Sequence, residues 1–73
     1  MGAAGIAMKM SVNGEPYEHA GHGTIDEVLR EIGAEPERVA VVVNGEIIRS
    51  DARPTVRLKD GDQIEIIAFA GGG

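Results

Sequence analysis

The sequence predicts an α+β fold, with one helix packed on a mixed four- to five-stranded sheet. Three observations lead there. Apolar residues alternate with polar ones near both ends, a single stretch between them repeats at helical spacing, and Asn-Gly or Asp-Gly pairs punctuate the rest. The chain has 73 residues, 11 of them glycine and none cysteine, which leaves room for one small core. Tyr17 and Phe69 are its only aromatic residues, so that core must be aliphatic.

Met1 to Ala7 offers Ile6 as its one large apolar anchor apart from Met1, and reads as a frayed leader. From Met8 onward Met8, Met10 and Val12 alternate with Lys9, Ser11 and Asn13, as in a strand with one buried face. Asn13-Gly14 suits a type I′ hairpin turn, because both residues tolerate positive φ, and a second strand follows through Tyr17. Thr24 and Glu27 form a capping box that starts a helix. Ile25, Val28, Leu29 and Ile32 line its core face, Gly33 closes it and Pro36 prevents continuation. Val39 to Val43 is a continuous apolar run, expected to be buried on both sides at the centre of the sheet. Asn44-Gly45 turns it into a further strand from Glu46 to Arg49. Ser50 to Pro54 reads as a linking loop, since Pro54 lacks an N–H. After the Asp60-Gly61 turn, Gln63 to Phe69 forms the last strand, with Ile64 and Ile66 on one face and Ile67 and Phe69 on the other. The order β-β-α-β-β-β suggests a β-grasp, the ubiquitin-like architecture, spanning residues 8–69 between the leader (1–7) and a flexible glycine tail (70–73).

Function classes fall away quickly. Seven Lys and Arg against twelve Asp and Glu give a net charge of -5, which removes the electrostatic attraction that drives nucleic-acid binding. The acidic balance either favours encounter with a basic protein surface or simply maintains solubility. No stretch is apolar for long enough to span a membrane, and no secretory signal precedes the domain, so the expected location is the cytoplasm. Neither a dinucleotide fingerprint nor a phosphate loop is present, and no bound cofactor is expected. His19 and His22, with Glu18 beside them, make a weak metal site conceivable, but without further ligands at suitable spacing they read as ordinary surface residues. Asp60, Asp62, Glu35 and Glu37 sit beside turns as solvated charge, and Arg49, Arg53 and Arg57 read as a solvated loop because Pro54 breaks the helix that would align them.

The end of the chain is different. Gly71, Gly72 and Gly73 follow the last strand directly, and at a glycine frequency of about 7% such a run arises by chance in roughly one chain in three thousand. Three readings compete: a cloning scar, a frayed end, or a slim tail whose terminal carboxylate is the reactive group. Glycine lacks a Cβ, so a narrow channel can accept its backbone, and Ala70 to Gly73 spans about 13 Å when extended. A carboxylate becomes an electrophile only once a partner adenylates it. The chain has neither an ATP motif nor a cysteine, so both the activation and the sulfur would come from other proteins.

Several segments together carry a resemblance: Val12-Asn13-Gly14-Glu15, Thr24-Ile25-x-Glu27-Val28-Leu29, Val39-Ala40-Val41 with Asn44-Gly45-Glu46, Asp60 to Ile66, and the terminal glycines. In this order they resemble the ThiS-type sulfur carriers of the ThiS/MoaD ubiquitin-like family, over about residues 8–73. The resemblance implies a carrier rather than an enzyme. Gly73 would be adenylated, with ATP used by an E1-like ThiF-type adenylyltransferase, and then converted to a thiocarboxylate. Gly71 and Gly72 would lead it into partner sites. A sulfur donor such as a cysteine desulfurase would supply the atom, and thiazole synthase, ThiG, would receive it for thiamine biosynthesis. Relatives with the same tail serve molybdopterin, cysteine or tRNA thiolation, and a ubiquitin-like interaction module without chemistry is the other alternative. Members often carry a bulky aromatic residue before the last strand, where this chain has Ala52, Arg53 and Pro54. Ile67 and Phe69, opposite the core-facing isoleucines, are expected to form part of an apolar docking surface for the activating enzyme, unless the helix or the leader covers them.

Overall fold

The computed structural model describes residues 7–21 and 23–69. Strands β1 (Ala7–Val12) and β2 (Glu15–Ala20) form a hairpin, the helix α1 (Ile25–Ile32) crosses over, and β3 (Val39–Val43) and β4 (Glu46–Ile48) form a second hairpin before β5 (Gln63–Ala68). Together the strands make one sheet in the order β2-β1-β5-β3-β4. The middle of the sheet is β5, which runs parallel to β1 and antiparallel to β3. A parallel neighbour cannot be reached by a tight turn, and α1 lies in the long connection that makes the return possible.

Both Asn-Gly turns adopt the predicted geometry, with Asn13 and Gly14 at φ 53° and 83° and Asn44 and Gly45 at 52° and 84°. Half of the expected capping box forms: Thr24 caps the helix, but the Glu27 carboxylate reaches back to Gly23, one residue before the N-cap, rather than to Thr24 itself. The Glu27 N–H donates to Thr24 Oγ1 at 3.2 Å, and Glu27 Oε1 accepts the N–H of Gly23 at 3.1 Å. Gly33 closes the helix at φ 81°. One face of the sheet and one face of α1 enclose an aliphatic core of Met10, Ile25, Val28, Leu29, Val39, Val41, Val43, Leu58 and Ile64. That leaves the opposite face of the sheet uncovered among the described residues.

Several expectations need correction. Ala7 belongs to β1, where it pairs with Ala20, and residues 1–6 lie outside the described residues. The second strand runs past Tyr17 to Ala20. Ile32, expected on the core face of the helix, is 40% exposed. Val39–Val43 is not buried on both sides: Val39, Val41 and Val43 are buried while Ala40 and Val42 are half-buried, so a continuous apolar run here conceals ordinary alternation. Ser50–Thr55 is a 3₁₀ helix rather than an irregular loop. Pro54 is tolerated there because the short turn is closed around it, by the N–H of Ala52 to Arg49 O and the N–H of Val56 to Arg53 O.

Polar groups at the turns are fasteners. Asp62, expected to be solvated, is buried; its carboxylate accepts the Lys59 N–H at 2.8 Å and the Asn44 side-chain amide at 2.9 Å. Asp60 accepts the Lys9 N–H at 2.7 Å, tying the last turn to β1.

Candidate functional site

The exit of β5 is where the anticipated site lies. Gly71, Gly72 and Gly73 fall outside the described residues. Before them the Phe69 N–H donates to Arg38 O at 2.9 Å, just beyond the pairing of Ala68 with Val39. Ile67 is 51% and Phe69 59% exposed, and α1 packs on the other face, so the helix does not cover them. Cross-strand register extends the patch: Ile67 lies opposite Ala40, and Val42 lies opposite Ile47, which is 73% exposed. Ile47 was missed in the sequence, where a lone isoleucine after a turn carries no sign of which face it joins. An open apolar face beside a chain exit can recognise a protein surface, but it supplies no acid, base or nucleophile.

The histidine expectation is overturned. His19 points into the molecule from β2 and is 1% exposed. Its Nε2 lies 2.9 Å from Glu27 Oε1, and its Nδ1 lies 3.0 Å from the Glu31 carboxylate. An ionised carboxylate only accepts, so two such partners require both ring nitrogens to donate, which is the imidazolium form. Burial pulls the His19 pKa down, but the hydrogen bonds and negative charges of Glu31 and Glu27 outweigh it and hold it above the ordinary value. Tyr17 donates its hydroxyl to Glu31 as well. Burial, that hydrogen bond and the Glu31 charge push the Tyr17 pKa up to about 12, while the Tyr17 bond, working against burial, holds the Glu31 carboxyl below its usual range. Glu27 and Glu31 stand four residues apart on α1, so the cluster is a clamp between helix and strand. The signal was available: continuing the alternation of Tyr17 by two residues places His19 on the helix-facing side. No cluster of three or more His, Asp or Glu among the described residues could hold a metal ion, and His22 lies outside them.

Arg53 was also misplaced by the sequence. It is 5% exposed, and its guanidinium donates to Pro36 O at 3.0 Å and to Val39 O at 2.9 Å. Arg49, 82% exposed, and the exposed Arg57 match the solvated reading. No helix among the described residues is long and apolar enough to cross a membrane.

A single helix on a five-stranded mixed sheet with a central parallel pair defines a β-grasp domain of the ubiquitin-like class. A solved ThiS structure from Geobacter metallireducens, a thiamine biosynthesis protein, superposes with a TM-score of 0.75 at 36% identity, covering 90% of this chain and 100% of that one. The ThiS family model matches residues 10–73, and the chain belongs to the ThiS family. The sulfur carrier protein ThiS of Thermus thermophilus is 42% identical over 62 residues, 85% of this chain and 95% of that protein. A thiazole synthase of Paramagnetospirillum magneticum is 39% identical over 66 residues, 90% of this chain. The chain spans 20% of the length of that protein, and the same share of a second thiazole synthase, from Magnetococcus marinus.

Proposed function

We propose that this chain carries sulfur as a thiocarboxylate on Gly73 and delivers it to the thiazole ring formed in thiamine biosynthesis. The observation that carries the reading is that the family match runs on through the tail to Gly73. In the first step the Gly73 carboxylate attacks the α-phosphorus of ATP in a ThiF-type adenylyltransferase, and pyrophosphate leaves. A sulfur nucleophile then displaces AMP from the acyl carbon. Sulfide displaces AMP directly, whereas a donor such as a cysteine desulfurase delivers a persulfide, whose attack gives an acyl disulfide. An external thiol, since the chain has no cysteine of its own, then cleaves that acyl disulfide to the thiocarboxylate, itself leaving as a disulfide. Gly71 and Gly72 carry no side chains to obstruct an approach through a narrow channel.

Two features support the partners. The exposed Ile67 and Phe69 sit at the base of the tail, where a docking enzyme could grip the domain while the tail enters its active site. Thiazole synthases that contain a matching segment, with most of their length beyond it, favour thiazole synthase as the acceptor. The test is to incubate the protein with ATP, a ThiF-type enzyme and a sulfide source. Replacement of one carboxylate oxygen by sulfur adds about 16 Da. Deleting Gly72 and Gly73 is expected to abolish the shift; a shift that survives the deletion refutes the assignment, and no shift in the full chain leaves a docking module without chemistry.

A further inference from the structure

We infer that the hollow beside Phe69 receives a basic side chain, arginine or lysine, from the surface of the activating enzyme; the inference rests on the proposed reading of this chain as the substrate of a ThiF-type adenylyltransferase. The hollow measures about 530 Å³, with Pro36, Ala40, Ile48 and Phe69 as apolar lining and Asp26 and Glu37 as its acids. Phe69 belongs both to it and to the exposed apolar patch with Ile67, so the two surfaces are continuous. The acids come from different elements, Asp26 from the first turn of α1 and Glu37 from the short 3₁₀ turn Pro36–Arg38. The N-terminus of α1 favours the ionised form of Asp26. No hydrogen bond or ion pair among the described residues engages either carboxylate, whereas Glu35 and Asp51 are paired with Arg38 and Arg49.

Arg53 is the one base among the described residues that lines the hollow, and it pairs with neither acid. It is 5% exposed, and its guanidinium is bonded to the carbonyls of Pro36 and Val39. The chemistry of the occupant follows from what is left. A purely apolar side chain would strip water from two carboxylates and offer them nothing in exchange. An acidic surface is repelled, and so is a second copy of this chain, which carries the same net charge of -5. A long basic side chain suits both parts of the hollow: its methylene stem covers Ile48 and Phe69 while its cationic head reaches Asp26 and Glu37. Over the exposed Phe69 ring the cation gains a further attraction. Such a contact is made on docking and does not change during the chemistry, so it strengthens binding without altering the rate of the bound complex.

The test is a calorimetric titration of the full chain with a ThiF-type enzyme in the absence of ATP. Asp26→Asn/Glu37→Gln is compared with Glu15→Gln/Glu18→Gln, which removes the same charge from exposed positions on β2, at the opposite edge of the sheet from β4. The hollow pair is expected to bind about tenfold more weakly, with a difference that shrinks in about 0.5 M salt, and the β2 pair to stay within about twofold of wild type. In single-turnover adenylation the rate at saturating enzyme is expected to be unchanged. Equal weakening by both pairs means that overall charge alone steers the encounter, and overturns the inference; so does undiminished binding by the hollow pair, or weakening seen only with a thiazole synthase in place of the ThiF-type enzyme. Should the double variant not fold, the exposed Glu37→Gln is read alone, with about threefold weakening expected. A chain that binds the enzyme but is never adenylated sinks the proposed function and leaves the titration to decide the hollow. A chain that does not bind the enzyme at all overturns the inference.

Discussion

Replacing His19 with glutamine removes the imidazolium at the centre of the helix–strand clamp while keeping a polar side chain of similar reach. Hydrogen bonds to charged partners contribute about 1.5–3 kcal/mol each when one side is buried. His19 is buried, but Glu27 and Glu31 are 28% and 43% exposed, so water competes at the far end of both contacts. The clamp is then worth roughly 2–3 kcal/mol rather than the sum of two full bonds. For a domain of this size that is a fall in Tm of about 10–20 °C. The effect has a pH signature. The folded pKa of His19 is raised above 6.5, so its contribution is complete below 6.5 and is lost as pH rises through the folded value. The Glu31 pKa is lowered from 4.5, so its contribution is present above 4.5 and is lost as pH falls. The gap between wild type and His19→Gln is therefore widest between about pH 4.5 and 6.5 and narrows toward alkaline pH. Chemical denaturation of both proteins at about pH 5.5 and pH 9 measures it. A gap that is constant with pH, or that widens as pH rises, refutes the imidazolium assignment.

Leu29 is fully buried between helix and sheet, so Leu29→Ala is expected to cost about 3 kcal/mol in urea denaturation. Gly45 and Gly23 both have positive φ, but a Cβ on Gly45 meets nothing within 4 Å, whereas on Gly23 it comes within 2.7 Å of the Met8 side chain and 3.3 Å of Leu58 O. Gly45→Ala should therefore lower stability by about 1 kcal/mol, from backbone strain alone, and Gly23→Ala by more; the reverse order in parallel melts would contradict this packing. Phe69→Ala is expected to leave the melting curve within about 0.5 kcal/mol of wild type, since the ring is 59% exposed, and to raise KM for adenylation by a ThiF-type enzyme. Adenylation kinetics that do not change would remove Phe69 from the docking surface.

Much of the fold was legible because its signals are local. The two Asn-Gly turns need positive φ wherever they occur, Thr24 and Glu27 need only the first helical turn, and the alternation of Met8, Met10 and Val12 declares a strand by itself. The outward placement of Ile67 and Phe69 followed from the same period of two once Ile64 was assigned to the core. Local signals failed where a residue's partner lies far along the chain. Val39–Val43 looked central because all five residues are apolar, but the centre belongs to β5, which pairs with both β1 and β3.

Sequence alone determined the element order, the two hairpin turns, the helix boundaries and the aliphatic character of the core, because each depends on backbone preferences within a few residues. Tertiary structure decided the state of the polar groups. His19 became a buried clamp through carboxylates 8 and 12 residues away, Arg53 a buried fork through carbonyls 17 and 14 residues away, and Asp62 a turn fastener through Asn44. A charged side chain reads as solvated until its partners are known, and only the folded chain brings those partners within hydrogen-bonding distance.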